Sequence, residues 1–188
     1  LIVVAWEAVP GCKRAPKASP VPVVSGTPAV TLSDIASFRP QPGTDHMEPD
    51  GWTVVGLDTN FYASATRQVV RGTLLGRPAE VRFTPVRFHW DYGDGARADR
   101  TTPGGTWEQL RVAEFDPTPT SHVYRSEGTF TIRLGIDYRA EYRFDRPDFV
   151  PIAGTIALPA NDLRITVGDA KTVLVDRDCT SVPAGPGC

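Results

Sequence analysis

Three groups of side chains have the chemistry to act on a ligand. Asp91 and Asp94, with Asp99 or Asp116, could offer oxygens to calcium, but the ion wants six to eight, and the spacing of an EF-hand loop is absent. Asp91 and Asp94 are instead placed to accept hydrogen bonds from the amides of their own turn. His46, His89 and His122 would make a metal triad if the fold brought them together. His89, however, belongs on the outward side of an alternating run, and His46 lies in a proline-rich stretch. Asp137, Glu141, Asp145 and Asp148 could supply a glycosidase pair, which needs two carboxylates about 5–9 Å apart in a cleft. Arg139, Arg143 and Arg146 interleave with them, which suits a mixed-charge exposed strand better. No Gly-x-Ser-x-Gly elbow, His-Glu-x-x-His or phosphate loop occurs. These patterns lead to the expectation of a non-enzymatic protein with no metal and no cofactor.

Aromatic side chains on loops are the remaining binding groups. Tyr92, Trp107 and Phe115 sit in or near a long connection and could stack on sugar rings or anchor a protein interface, or simply cover the edge of the core. The cysteines are Cys12, Cys179 and Cys188. Cys179 and Cys188 bracket a Pro- and Gly-rich span suited to a tight disulfide loop, with a Cys12 pairing as the competitor. Disulfides persist outside the cytosol, so the expected location is secreted or at the cell surface.

The chain has 188 residues with 20 Lys plus Arg and 22 Asp plus Glu, and the resulting net charge of −2 argues against nucleic acid as a partner. Apolar residues at 40% suffice for a core. The 17 Gly and 18 Pro make the chain turn-rich but leave it short of the roughly 25–30% typical of low-complexity disorder. No apolar run reaches the roughly 20 residues of a membrane helix, so no span is expected.

The elements that must hold these groups are strands. Val81 and Phe83 alternate with polar residues, and so do Val86, Phe88 and Trp90, then Phe130 to Tyr138, then Leu163 to Val167. Period-two alternation separated by Gly/Pro turns predicts an all-β sandwich. A hairpin turning near Gly76 and a long connection over 96–120 look inserted. Eight prolines between residues 10 and 50 predict an extended segment excluded from a sheet interior. Within it, Leu32, Ile35 and Phe38 are spaced for one or two helical turns, capped by Thr31 or Ser33, that need cover from the main domain. The run Leu1 to Trp6 reads either as the tail of a leader peptide or, since Glu7 and Pro10 fit a leader badly, as a β-strand. As a strand, Leu1, Val3 and Trp6 could pair within its own sheet or add to a neighbouring subunit. The expected organisation is residues 1–50 as N-terminal strand and Pro-rich segment, 51–178 as sandwich, and 179–188 as disulfide loop.

Trp90-Asp91-Tyr92-Gly93-Asp94-Gly95 closes one alternating strand, with Gly93 and Gly95 permitting a sharp reversal. About thirty residues on, His122 and Tyr124 precede Gly128 and Phe130, which open the longest alternating run. Together the two segments resemble the polycystic kidney disease (PKD) domain, whose pattern is Trp-Asp-Phe-Gly-Asp-Gly, then His-x-Tyr, then Gly-x-Tyr/Phe. The resemblance covers roughly residues 50–140. It implies an immunoglobulin-like β-sandwich of extracellular type, and it extends to small secreted actinobacterial PKD-domain proteins of unassigned activity. The longer link between the motifs, the hairpin at 69–83 and the strands after Tyr142 depart from the pattern. The function these readings favour is a structural or adhesion module, a subunit of a surface filament or pilus-like assembly joined by strand addition. Its partner would be protein, through self-association. The alternative is a carbohydrate-binding accessory module whose partner is a polysaccharide.

Overall fold

A computed structural model describes residues 29–170 and Thr180. Its strands are β1 (Thr44–Glu48), β2 (Trp52–Val54), β3 (Asp58–Ser64), β4 (Gln68–Leu74), β5 (Arg77–Asp91), β6 (Arg97–Arg100), β7 (His122–Val123), β8 (Gly128–Arg143), β9 (Val150–Pro159) and β10 (Leu163–Gly168), with one helical turn, α1 (Trp107–Leu110). The fold is all-β, and no helix among the described residues is long and apolar enough to cross a membrane.

Two long antiparallel strands, β5 and β8, pair from Glu80↔Arg143 to Asp91↔Arg133 and form a spine. The two alternating runs at Val81–Phe83 and Phe88–Trp90 are a single strand. They are out of phase in sequence because the register shifts between Pro85 and Arg87. Proline cannot donate to a ladder, and an extra residue at that point restores the inward face, so Phe83 and Phe88 both reach the core. On β8 the phase never breaks: Ile132, Leu134, Ile136, Tyr138 and Ala140 are all buried.

The spine has different neighbours at its two ends. Around Trp90 the order is β6-β5-β8-β10-β2, and around Val81 it is β4-β5-β8-β9. A small sheet, β1-β3-β7, packs over the first end through Phe61 against Tyr92 and Asp45 against Trp90. The second end is covered by the chain before β1. Val30, Ile35 and Phe38 are buried there, and Phe38 sits where a side chain on Gly72 would stand. The expected helical turns at 31–38 are successive three-residue turns. Thr31 does not act as the acceptor cap; its amide and hydroxyl both donate to Asp34 Oδ2.

The hairpin turns at Leu75-Gly76. The long connection contains β6 and α1, the latter capped reciprocally by Thr106 and Gln109. β1 falls inside the stretch expected to be an extended arm, because residues 43–48 are free of proline and can pair with β3. The pairing of Cys179 with Cys188, the alternative with Cys12, and the strand role of Leu1, Val3 and Trp6 lie outside the described residues.

Candidate functional site

The turn after β5 is held by its own carboxylates. Asp91 Oδ1 accepts the Gly93 amide at 3.1 Å, and Asp94 Oδ1 accepts the Ala96 amide at 3.0 Å. Gly93 has φ +81° and lies so close to β8 that a Cβ would stand 2.5 Å from the Thr131 carbonyl oxygen. Only glycine satisfies both the left-handed backbone and that approach. The outer oxygens are also engaged: Asp91 Oδ2 takes Arg97 at 3.0 Å, and Asp94 Oδ2 faces His122 Nε2 at 2.7 Å. Burial pushes the Asp94 carboxyl up, but hydrogen bonds from His122 and Ala96 outweigh it and hold the group below its ordinary value.

Behind the turn lies an aromatic stack. His122 lies flat on Tyr92, with centroids 4.1 Å apart, and meets Tyr124 edge-on. Tyr124 stacks on Phe130 and donates its hydroxyl to the Tyr92 carbonyl at 3.1 Å. Gly128, at φ +152°, leaves room for the Phe130 ring. Trp90 Nε1 donates to Asp45 Oδ1 at 3.1 Å. Asp45 is a buried carboxyl whose Oδ2 has no hydrogen-bond partner among the described residues. Burial pushes it up to about 7, against the opposing pull of the Trp90 and His46 donors. Sequence reasoning passed over Asp45 because it lies in the stretch read as a Pro-rich extended segment; on β1 it shares the inward face with the buried Met47.

A second assembly is a cleft of 280 Å³ at the edge of β2, lined by Glu48, Pro49, Trp52, Trp107, Glu114 and Phe115. Trp52 is 51% exposed and meets Phe115 at 6.2 Å; Phe115 meets Trp107 at 5.4 Å. The cleft is built on a buried amide. Asn60 donates to Glu48 Oε2 and the Gly105 carbonyl and accepts from the Thr118 hydroxyl. Glu48 Oε2 also accepts the Trp107 amide at 2.8 Å. Asn60 thus ties both ends of the long loop to β3, and Glu48 fixes the start of α1.

No protein-family model matches this chain, and no curated protein matches it in sequence. The residues themselves therefore carry any functional argument.

The structure redistributes the candidates read from the sequence. Tyr92 is 2% exposed, packed between Phe61 and His122, and Trp107 is 7% exposed, its amide held by Glu48 at the base of the cleft, so neither presents a free face to a sugar. Phe115 stays half-buried, held at φ +64°. Trp52, an exposed aromatic on a three-residue strand, replaces them as the accessible ring; its only sequence signal was a tryptophan between two turns.

The histidines do not converge. His46 stacks on Tyr62, His122 lies on Tyr92, and His89 sits on the outer face between Asp99 at 2.6 Å and Asp137 at 3.2 Å. Asp99, then Asp137, raise the His89 pKa against partial burial. Glu141 pairs with Arg82 at 2.8 Å and Asp145 with Arg77 at 3.7 Å, while Asp137 serves His89. Among the described residues, no group of three or more His, Cys, Asp or Glu is placed to hold a metal ion.

Proposed function

We propose that this chain is a structural or adhesion module without enzymatic activity, an immunoglobulin-like β-sandwich of the PKD type, secreted or displayed at a bacterial surface. The observation that carries the reading is how the motif uses its polar groups. Asp91, Asp94, His122 and Tyr124 each bond to another part of the same clasp, and Trp90 bonds to Asp45 beneath it. Groups so engaged hold a turn and a core; they are not left facing a substrate.

Self-association by strand addition is the mode of assembly that fits. Among the described residues β9 pairs with β8 alone, so its other edge is open over ten residues, and the short apolar run that holds Leu1, Val3 and Trp6 suits a donated strand. Deleting residues 1–9 and measuring particle mass by light scattering tests this. Loss of the oligomers that persist at high salt is expected, and unchanged high-salt assembly rejects the strand donor. The extracellular assignment rests on a Cys179–Cys188 disulfide. Mass spectrometry after alkylation without reductant should find both thiols protected.

A second reading, polysaccharide binding, draws support from Trp52 and Phe115 at the mouth of a cleft that also holds carboxylates able to accept sugar hydroxyls. Retention on cellulose or chitin that Trp52→Thr abolishes would favour it.

A further inference from the structure

The tip of the β4–β5 hairpin is built against its own turn chemistry. Leu75 has φ +50° and Gly76 φ +78°, the pairing of a two-residue turn whose first position favours Asn, Asp or Gly. Leucine is strained there and makes no compensating burial, since it is 61% exposed. The turn is thus less stable than it could be, and what it presents to solvent is an apolar knob. Arg77 follows directly, its guanidinium 4.4 Å over the Phe144 ring, and Arg82 and Arg143 flank Phe149 at 4.1 and 4.5 Å.

Charge is divided along the spine. Segments 67–84 and 139–149 carry seven arginines against four acids; segments 46–58 and 106–118 carry six acids against one arginine. The aromatic cleft lies in the acidic region. Trp52 pairs with Thr166, which pairs with Thr129 at the start of β8, whereas the hairpin lies beyond Arg143 at its end. Fourteen residues of strand separate the two positions by about 45 Å. The modest net charge conceals a molecule with a basic, apolar-tipped end and an acidic, aromatic-lined end.

We infer that copies of this chain associate head to tail, with Leu75 and Arg77 of one copy seated in the cleft formed by Trp52, Phe115, Glu48 and Glu114 of the next. The leucine meets the aromatic walls and the guanidinium meets the carboxylates. A contact between unlike surfaces at opposite ends does not close on itself, so it propagates into a linear polymer. Its footprint is small, which makes each contact weak and its formation steeply dependent on concentration and salt. The inference rests on the self-association reading but uses a different contact from the donated strand.

The test is sedimentation velocity of the full chain over a range of concentrations in about 50 and about 500 mM NaCl. The expected result is association that strengthens with concentration and weakens severalfold at the higher salt. Leu75→Asn should lower this salt-sensitive association about tenfold while raising the melting temperature, because asparagine fits the turn. A merely structural leucine would give the opposite pair of results. Trp52→Thr should lower association similarly. Mixing the two variants should restore one salt-sensitive contact per pair, giving dimers and nothing larger, since one variant keeps its cleft and the other its tip.

Deleting residues 1–9 should leave the salt-sensitive component in place. If that deletion abolishes assembly while Leu75→Asn and Trp52→Thr assemble normally, this contact is wrong and self-association stands. A chain that stays monomeric at every concentration overturns both. If Trp52→Thr removes retention on chitin or cellulose and leaves assembly unchanged, the cleft takes a sugar and the inference fails.

Discussion

The two ends of the β5–β8 spine bury the same face of the same two strands by different means. At the Trp90 end, burial is accompanied by directed bonds: indole to Asp45, phenol to the Tyr92 carbonyl, imidazole to Asp94. At the Val81 end, cover comes from a turn segment whose Ile35 and Phe38 are buried, Phe38 against Gly72, with ion pairs on the outer face. Directed bonds select one arrangement because a buried polar group without its partner is costly. Apolar cover requires only volume and hydrophobicity, and tolerates substitution that preserves both. The contrast teaches why one end has a recognisable residue pattern and the other has none.

The sharpest way to break the contrast is at its tightest point. Gly93→Ala should destabilise by about 4 kcal/mol or abolish folding, since the new Cβ must meet both a positive φ and the Thr131 backbone. Urea denaturation with a loss under about 1 kcal/mol would show that the turn is not the constraint described.

At the other end, Phe38→Ala should cost about 3–4 kcal/mol, the range for emptying an aromatic site in a core. Phe38→Leu should recover most of that loss, as apolar cover permits. If Phe38→Ala costs nothing, residues 30–40 are not part of the core.

Asp45 inverts the usual carboxylate behaviour. Its folded pKa of about 7 lies above its ordinary value of 3.8, so the folded chain binds the proton more tightly than the unfolded chain. Stability from this group is therefore fully present at low pH and declines as pH rises from about 4 to about 7. Asp45→Asn should be about 3–4 kcal/mol more stable than the parent at pH 8 and nearly equal to it at pH 3. A parallel shift at both pH values would mean that the carboxyl is not held protonated.

His89 tests the outer face, where the effect should be smallest. Its pKa is raised by Asp99 and Asp137, so its contribution is present below the unfolded value and lost as pH rises through the folded one. Because the ring is partly exposed, His89→Gln should cost only a few tenths of a kcal/mol at pH 5.5 and nothing at pH 8.5. Chemical denaturation at the two pH values distinguishes this from a core role.

Much of the architecture was legible from local pattern. Strict alternation along β8, the turn at Gly76 and the inward Trp90 follow from a period of two and from the residues that permit positive φ. The cleft was not legible, because its walls come from β1, β2 and the loop around α1, and no spacing rule connects Trp52 to Phe115. Tyr92 and Trp107 misled for a related reason. A loop position predicts exposure, but Glu48 holds Trp107 down and Phe61 and His122 enclose Tyr92.

By itself the sequence determined the strand faces, the glycine turns and the Trp-Asp-Tyr-Gly-Asp-Gly clasp, all of which depend on neighbours a few residues apart. Only the tertiary structure decided that Asp45 would be sealed beneath an indole, that the chain before β1 would complete the core, and that acidic and basic ends would lie a full strand length apart. Burial and charge separation are properties of what lies across space. No local window of residues contains them.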